Sequence, residues 1–283
     1  MLWTEKYRPR KLNEIIGQMN FTLDAEHWVM EQEMPNVLLY GIAGVGKTAA
    51  AISLANDMLR DDVKSNFFEI NASDDRKLET VRTRIKEIAS TSKIGDAPFK
   101  IILLDEMDGM TRDAQNALKR IMERYADNCR FIITCNDRHK IIHPLISRCA
   151  NYAFKRLEHH HMYAILTNAL KNEGIANTYE DEIEIFIESL HGDVRRGLTE
   201  LQAAISSKSS LLKQVDKHLL PYTEILELVN ENKYTEAVER VHSLLYDSIE
   251  MKTVCIGLHD TIIKTDMTSN EKFKLLRVVG EAE

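Results

Sequence analysis

The first half of the chain alternates short apolar runs with stretches in which apolar residues recur every three or four positions. That is the pattern of a parallel sheet with crossover helices. Asn36–Tyr40, Phe67–Ile70, Phe99–Leu104 and Arg130–Thr134 read as strands, and Tyr152–Phe154 as a shorter fifth. Between them Leu78, Val81, Ile85 and Ile88, and then Ala114, Leu118, Ile121, Met122 and Tyr125, fall at helical spacing, so each helix lays one face on the sheet. An α/β layered domain over residues 1–153 follows. From residue 154 the strand signal stops, and helices over 159–172, 180–190 and 194–206 predict a small helical domain spanning 154–208, with Ser206–Ser210 an exposed loop. Tyr234, Ala237, Val238, Val241, Leu244 and Leu245 then mark an amphipathic helix within a second, all-helical domain over 209–283.

Composition agrees with this subdivision. A chain of 283 residues with 44% apolar and 29% charged positions is globular and too long for one core. Its 37 Lys and Arg against 44 Asp and Glu give a net charge of −7, so it is no diffuse polycation, and any nucleic-acid contact must come from a local basic patch. Glu5, Lys6, Arg8 and Arg10 leave no room for a signal-peptide core, and no apolar run approaches the ~18 residues needed to span a membrane. The expectation is a soluble intracellular protein with no membrane contact. Cys129, Cys135, Cys149 and Cys255 have no zinc-site spacing and read as buried free thiols. His159, His160 and His161 would point about 100° apart on a helix and so cannot converge on one metal without irregular backbone.

The chemistry begins directly after the first strand. Gly41-Ile42-Ala43-Gly44-Val45-Gly46-Lys47-Thr48 is a complete G-x-x-x-x-G-K-[ST] loop between a strand and an alanine-rich helix that continues at Ala49. Its glycines let backbone N–H groups curl around phosphate oxygens, and the helix N-terminus adds partial positive charge. Lys47 would reach the β and γ phosphates and Thr48 would ligate Mg²⁺. The third strand runs into Asp105 and Glu106, at the sheet edge where open α/β sheets bind ligands. Asp105 is the expected Mg²⁺ partner, and Glu106 the group that polarises a water. Together the two motifs predict ATP hydrolysis.

Further candidates surround this pair. Asn136, closing the fourth strand, could hold the attacking water or the γ-phosphate, or simply end the strand in a turn. Arg148, in Ser147-Arg148-Cys149, suits an arginine finger acting in trans on a neighbour's ATP, or else makes a surface salt bridge. Asp193 is a natural N-cap of a helix carrying Arg195 and Arg196, either of which could swing onto the phosphates unless both are simply solvated. Arg76, Lys77, Arg82, Arg84 and Lys86 are five basic residues within eleven, the strongest basic cluster of an acidic chain and a candidate DNA contact unless it is a solvated helix face.

In order along the chain, these residues resemble the small-subunit family of replication factor C, the sliding-clamp loader of the AAA+ ATPase superfamily. The resemblance rests on Trp3-Thr4-Glu5-Lys6-Tyr7-Arg8-Pro9 with Ile16-Gly17-Gln18, on Asn71-Ala72-Ser73-Asp74-Asp75-Arg76, on Asp113-Ala114-Gln115-Asn116-Ala117-Leu118 and on Ser147-Arg148-Cys149. It implies that Tyr7, Arg8, Pro9, Ile16 and Gly17 frame the adenine, that Asn136 and Arg195 are the two sensors, and that Arg148 acts on the adjacent subunit. It implies DNA contacts at Arg76, Arg82, Lys86 and Lys140, and leaves Met107 and Met110 either on a clamp-facing surface or, as methionines more often are, in packing. It also implies a pentamer with a large subunit and a helical collar, which opens and loads a ring-shaped, PCNA-like clamp on primer-template DNA and is released on hydrolysis.

Three positions depart from the family pattern. The phosphate loop lacks the usual two prolines and threonine, Lys77 replaces a common glycine, and the collar region to Glu283 lacks a last helix that relatives usually carry. Another DNA-acting AAA+ machine, such as a branch-migration motor or helicase loader, would share the phosphate loop and acidic pair but not the Ser-Arg-Cys box or the opening stretch.

Overall fold

The computed structural model describes residues 1–72, 78–175, 179, 182–211, 222–246, 251–265 and 268–282. Five strands, β1 (Val37–Tyr40), β2 (Phe67–Asn71), β3 (Lys100–Asp105), β4 (Cys129–Cys135) and β5 (Ala150–Ala153), form one sheet in the order β2-β3-β4-β1-β5. Every neighbouring pair is parallel. All five expected strands are present, with ends shifted by one or two residues.

The reason this sequence makes a central sheet is legible in β3 and β4. Ile101, Ile102, Leu103 and Leu104 are all fully buried, because both faces of the sheet are covered and side chains alternate between them. Ile102, Leu104, Phe131 and Ile133 enter one core with residues of α3 (Leu78–Ser90) and α4 (Arg112–Arg124). Ile101, Leu103 and Ile132 enter the other with α1 (Met19–Glu31) and α2 (Lys47–Leu59). Shortening a side chain such as Leu103 to alanine would cost about 2–5 kcal/mol in so closed an environment.

Of the two roles open to Met107 and Met110, the structure shows packing. They belong to the first core, Met107 with no exposed surface, and therefore pack the turn after β3 and cannot face a clamp. Arg76 lies outside the described residues; Arg82 falls in α3, but its side chain is likewise outside them.

The remaining elements are helical: α5 (His159–Asn172), α6 (Ile183–Leu190), α7 (Val194–Ser207), α8 over 222–230, α9 (Tyr234–Tyr246), α10 (Met251–Lys264) and α11 (Ser269–Ala282). The expected loop at Ser206 is instead the last turn of α7. The Ser206 and Ser207 hydroxyls donate back to Gln202 O and Ala203 O, and Lys208, in a left-handed conformation at φ 51°, ends the helix.

By its contacts the chain forms two compact units. One comprises Met1–Ala169 with His191–Thr199, the other Leu170–Leu190 with Glu200–Glu283. The first holds the sheet. In the second, Tyr222, Ile225, Ala237, Leu244 and Val254 form a small core. Gly257 lets α10 approach Tyr222 there, since a Cβ at that position would lie 2.3 Å from the ring. Among the described residues no helix is long and apolar enough to cross a membrane.

Candidate functional site

Parallel pairing places the C-terminal ends of β1, β3 and β4 along one edge, with Tyr40 opposite Cys135 and Asn71 opposite Asp105. Strands β1 and β4 are adjacent although far apart in sequence, so the loop leaving β1 opens into the crevice where connections diverge. Gly46, at φ 93°, caps α2 in the left-handed region, a conformation that glycine adopts without strain. Gly44, at φ 82°, has a second constraint: a Cβ there would meet the Asp193 carboxylate at 2.1 Å.

Lys47 is 92% buried, its Nζ donating to Gly41 O at 2.7 Å, Ile42 O at 2.7 Å and Asn136 Oδ1 at 2.9 Å. Burial lowers its pKa, and Arg195 adds to this, while Cys135, Asp105 and Asp108 pull the other way. Three oxygen acceptors hold the ammonium charge in the closed site.

Thr48 Oγ1 donates to Asp105 Oδ1 at 2.9 Å, with Oδ2 at 3.3 Å. A hydroxyl and a carboxylate converging at that distance are hard oxygen donors of the kind Mg²⁺ takes. Thr134, one strand over on β4, donates its hydroxyl to Asp105 Oδ1 and accepts the backbone N–H of Glu106 at 3.1 Å. It thereby fixes the direction in which the chain leaves β3. Glu106 itself takes φ 55°, ψ 44°, a left-handed conformation that costs a non-glycine residue about 1–2 kcal/mol and turns its exposed carboxylate at the strand end. The backbone N–H of Asn136 donates to Asp108 Oδ1 at 3.2 Å.

These residues border a cleft of about 540 Å³ within the first unit. Tyr7, Arg8, Pro9, Ile16, Gly44, Val45, Gly46, Lys47, Thr48, Ala49, Asp105, Glu106, Asn136 and Arg195 all line it. Of the two arginines left open by spacing, Arg195 faces the cleft and Arg196 does not line it. Neither Gly17 nor Gly41 lines it. Both are turn glycines, at φ 80° and 147°, and a Cβ on Gly41 would lie 2.2 Å from Phe154 O. Arg148 also lies off the cleft; its Nε and Nη2 donate to Glu123 Oε1 and its Nη1 to Pro144 O at 2.7 Å.

Several lining residues carried no sequence signal. Thr134 looks like an ordinary strand threonine, Leu157 lies in the coil before α5, and Ala164, Ile165, Asn168, Val194 and Leu198 come from the faces of α5 and α7. Lys86 and Lys140 are exposed. Lys86 shares a separate groove with Arg120 and Arg124 of α4, more than thirty residues further along the chain.

Cys129, Cys135 and Cys255 are buried, Cys149 is partly so, and all four are free. Two of the three consecutive histidines do meet, contrary to expectation. Glu158, not His159, completes the group, because Glu158 precedes α5 and is not bound by helical spacing.

The AAA family profile, described as the ATPase family associated with various cellular activities, matches residues 37–157. The chain is 35% identical over 288 aligned residues to the replication factor C small subunit of Methanococcus maripaludis strain S2, covering 99% of this chain and 91% of that protein. Against the replication factor C small subunit of Archaeoglobus fulgidus the identity is 37%, covering 100% of this chain and 90% of the relative. Among solved structures, the Thermotoga maritima RuvB Holliday junction branch migration motor superimposes with a TM-score of 0.61 over 80% of each chain. At 15% identity that likeness shows the fold alone. Identity at this level along essentially the whole length settles the family question: the chain belongs to the replication factor C small subunit family, within the AAA ATPases.

Proposed function

We propose that this chain is a clamp-loader subunit that binds and hydrolyses ATP in the cleft and couples it to loading of a ring-shaped processivity clamp on primer-template DNA during replication. The observation that carries the reading is the convergence of Lys47, Thr48, Asp105, Glu106, Asn136 and Arg195 on one cleft, in a chain of this family. The adenine lies among Tyr7, Arg8, Pro9 and Ile16, with Gly17 shaping the turn. The triphosphate follows the loop from Gly41 to Ala49, and Lys47 exchanges its carbonyl partners for phosphate oxygens. Thr48 and Asp105 would hold Mg²⁺, which when bound neutralises charge on the β and γ phosphates. Glu106 accepts the proton of the attacking water, Asn136 orients that water or the γ-phosphate, and Arg195 reports phosphate occupancy to α7.

Arg148 acts in trans. Its side chain is only about one-third exposed and paired with Glu123, so an adjacent subunit's γ-phosphate would draw it from an exposed ion pair of small worth. The assembly is a pentamer with a large subunit, built through a collar over 209–283, with 154–208 as the lid. DNA runs past Arg76, Arg82, Lys86 and Lys140, to which the groove adds Arg120 and Arg124. ATP binding opens the clamp and hydrolysis releases the loader.

The test is steady-state ATPase of the assembled loader with and without primer-template DNA and clamp. Strong joint stimulation is expected. Turnover that ignores the clamp would reassign the chain to another DNA-acting AAA+ machine.

A further inference from the structure

Outside the nucleotide cleft, one group of metal-type donors comes together among the described residues: Glu158, His160 and His161, whose ligand atoms lie within 4.8 Å of one another. His160 Nδ1 is 3.5 Å from Glu158 Oε2, close to the ~3.3 Å that separates two donors each ~2.0 Å from a tetrahedral ion. The two imidazole rings lie 3.8 Å apart between centroids, inclined at 41°. His161 Nδ1 is enclosed, and no protein group hydrogen-bonds to it. A buried nitrogen in that position asks for an explanation, and coordination of a cation by this group supplies one.

The backbone frame is rigid. Glu158 O accepts from His161 N at 3.0 Å and Met162 N at 3.1 Å, so the three residues are fixed by the first turn of α5. That helix N-terminus disfavours a cation, and the Glu158 carboxylate offsets it.

We propose that Glu158, His160 and His161 form a site for one divalent transition ion of the Zn²⁺ class, with a fourth position open to water. Two imidazoles and a carboxylate select such an ion over Mg²⁺, which takes oxygen donors. The site adjoins the nucleotide cleft without sharing its donors. Leu157, next to Glu158, lines the cleft, and a Cβ on Gly17 would lie 2.5 Å from Leu157 Cδ2 and 3.0 Å from His161 Nδ1. A bound ion therefore pins the entry to α5 against the turn that follows Ile16.

Calorimetric titration of untagged, chelator-stripped full-length protein with Zn²⁺ tests this, with Co²⁺ absorption reporting geometry. One ion per chain with Kd below about 10 μM is expected, with tetrahedral visible bands for Co²⁺. Glu158 and His160 are 76% and 68% exposed, so E158Q and H160A should fold normally, and each should weaken Zn²⁺ binding by at least about tenfold. His159 is outside the group, and H159A should leave binding unchanged. Wild-type binding weaker than about 100 μM, equal binding by all variants, or a loss in H159A matching that in H160A would mean adventitious capture by surface histidines and overturn the site.

Discussion

The side-chain oxygen of Asn136 accepts a hydrogen bond from the ammonium of Lys47 at 2.9 Å, joining the end of β4 to the start of α2 across 89 positions of sequence. Two backbone carbonyls share the same ammonium, so Asn136 is one of three acceptors and the only side chain among them. Removing it leaves Lys47 anchored. Asn136→Ala should keep nucleotide affinity within about threefold and lower kcat by about 10²-fold, the scale of losing one oriented polar group at the reacting phosphate. Lys47→Ala should abolish binding. Fluorescent-nucleotide titration beside steady-state ATPase separates the two, and equal losses of affinity and turnover in Asn136→Ala would make Asn136 a binding residue instead.

Thr134 offers a sharper test of the acidic pair. Its hydroxyl donates to Asp105 and accepts from the Glu106 backbone, so the isosteric Thr134→Val strips one donor and one acceptor from a site that is almost fully buried. A loss of about 1–3 kcal/mol in unfolding free energy is expected. ATPase should fall further than stability explains, because Glu106 loses the contact that turns it. Urea unfolding and ATPase at a temperature where both proteins are folded will show whether the second effect exists.

Gln115, a polar residue of α4, has no exposed surface. Its Nε2 donates to Met110 O and Lys140 O, both at 3.0 Å, and its Oε1 accepts from Ile142 N at 2.9 Å. One amide thus ties the turn after β3 to the segment after β4. Gln115→Leu keeps the volume and leaves three backbone groups without that partner, which should cost on the order of 3 kcal/mol. The urea midpoint should fall with the m-value unchanged.

Gln115 and Thr134 also mark where the sequence stops being readable. The strands could be located because β3 and β4 are continuous apolar runs, and the phosphate loop because its chemistry needs glycines and a lysine at fixed spacing. The end of β3 stood out because two carboxylates follow four buried aliphatics. A buried glutamine has no such signature, since in sequence it resembles a solvent-facing helix position. Its partners are backbone groups 5 to 27 residues away. Thr134 follows β-propensity and so hides its role, while Ala164, Ile165 and Asn168 reach the cleft only through the packing of α5. Met107 is the opposite case: it sits next to a functional pair, sequence leaves it open between surface and packing, and burial decides for packing.

The thiols give a pH-dependent prediction. Burial pushes Cys129 up to about 11, and Cys135 and Cys149 to about 12, from an ordinary value of 9.0. The unfolded chain releases these protons first, so folding stability from the thiols is complete below pH 9 and declines as pH rises from 9 towards 12. At pH 8 the three should react with a disulfide reagent far more slowly in native than in urea-unfolded protein. Rapid labelling of all three in the native state would contradict the packing of β4 and the turn before β5.

Arg148 is the residue on which assembly and chemistry should separate. Its side chain is 34% exposed and its partner Glu123 49% exposed, so the ion pair contributes at most about 1 kcal/mol. Arg148→Ala should therefore melt near the wild-type temperature, and nucleotide affinity should be unchanged because Arg148 does not line its own chain's cleft. In the assembled loader the same substitution should remove DNA- and clamp-stimulated turnover by about 10³-fold or more, the scale of a missing arginine finger. Mixing Arg148→Ala subunits with Lys47→Ala subunits adds a constraint. If Arg148 works in trans, an interface that pairs an intact cleft with an intact neighbouring arginine can form only between mutants of opposite kind, so mixed assemblies regain part of the turnover that either mutant lacks alone. If Arg148 serves its own chain, no subunit in the mixture is complete and activity stays at the level of the separate mutants.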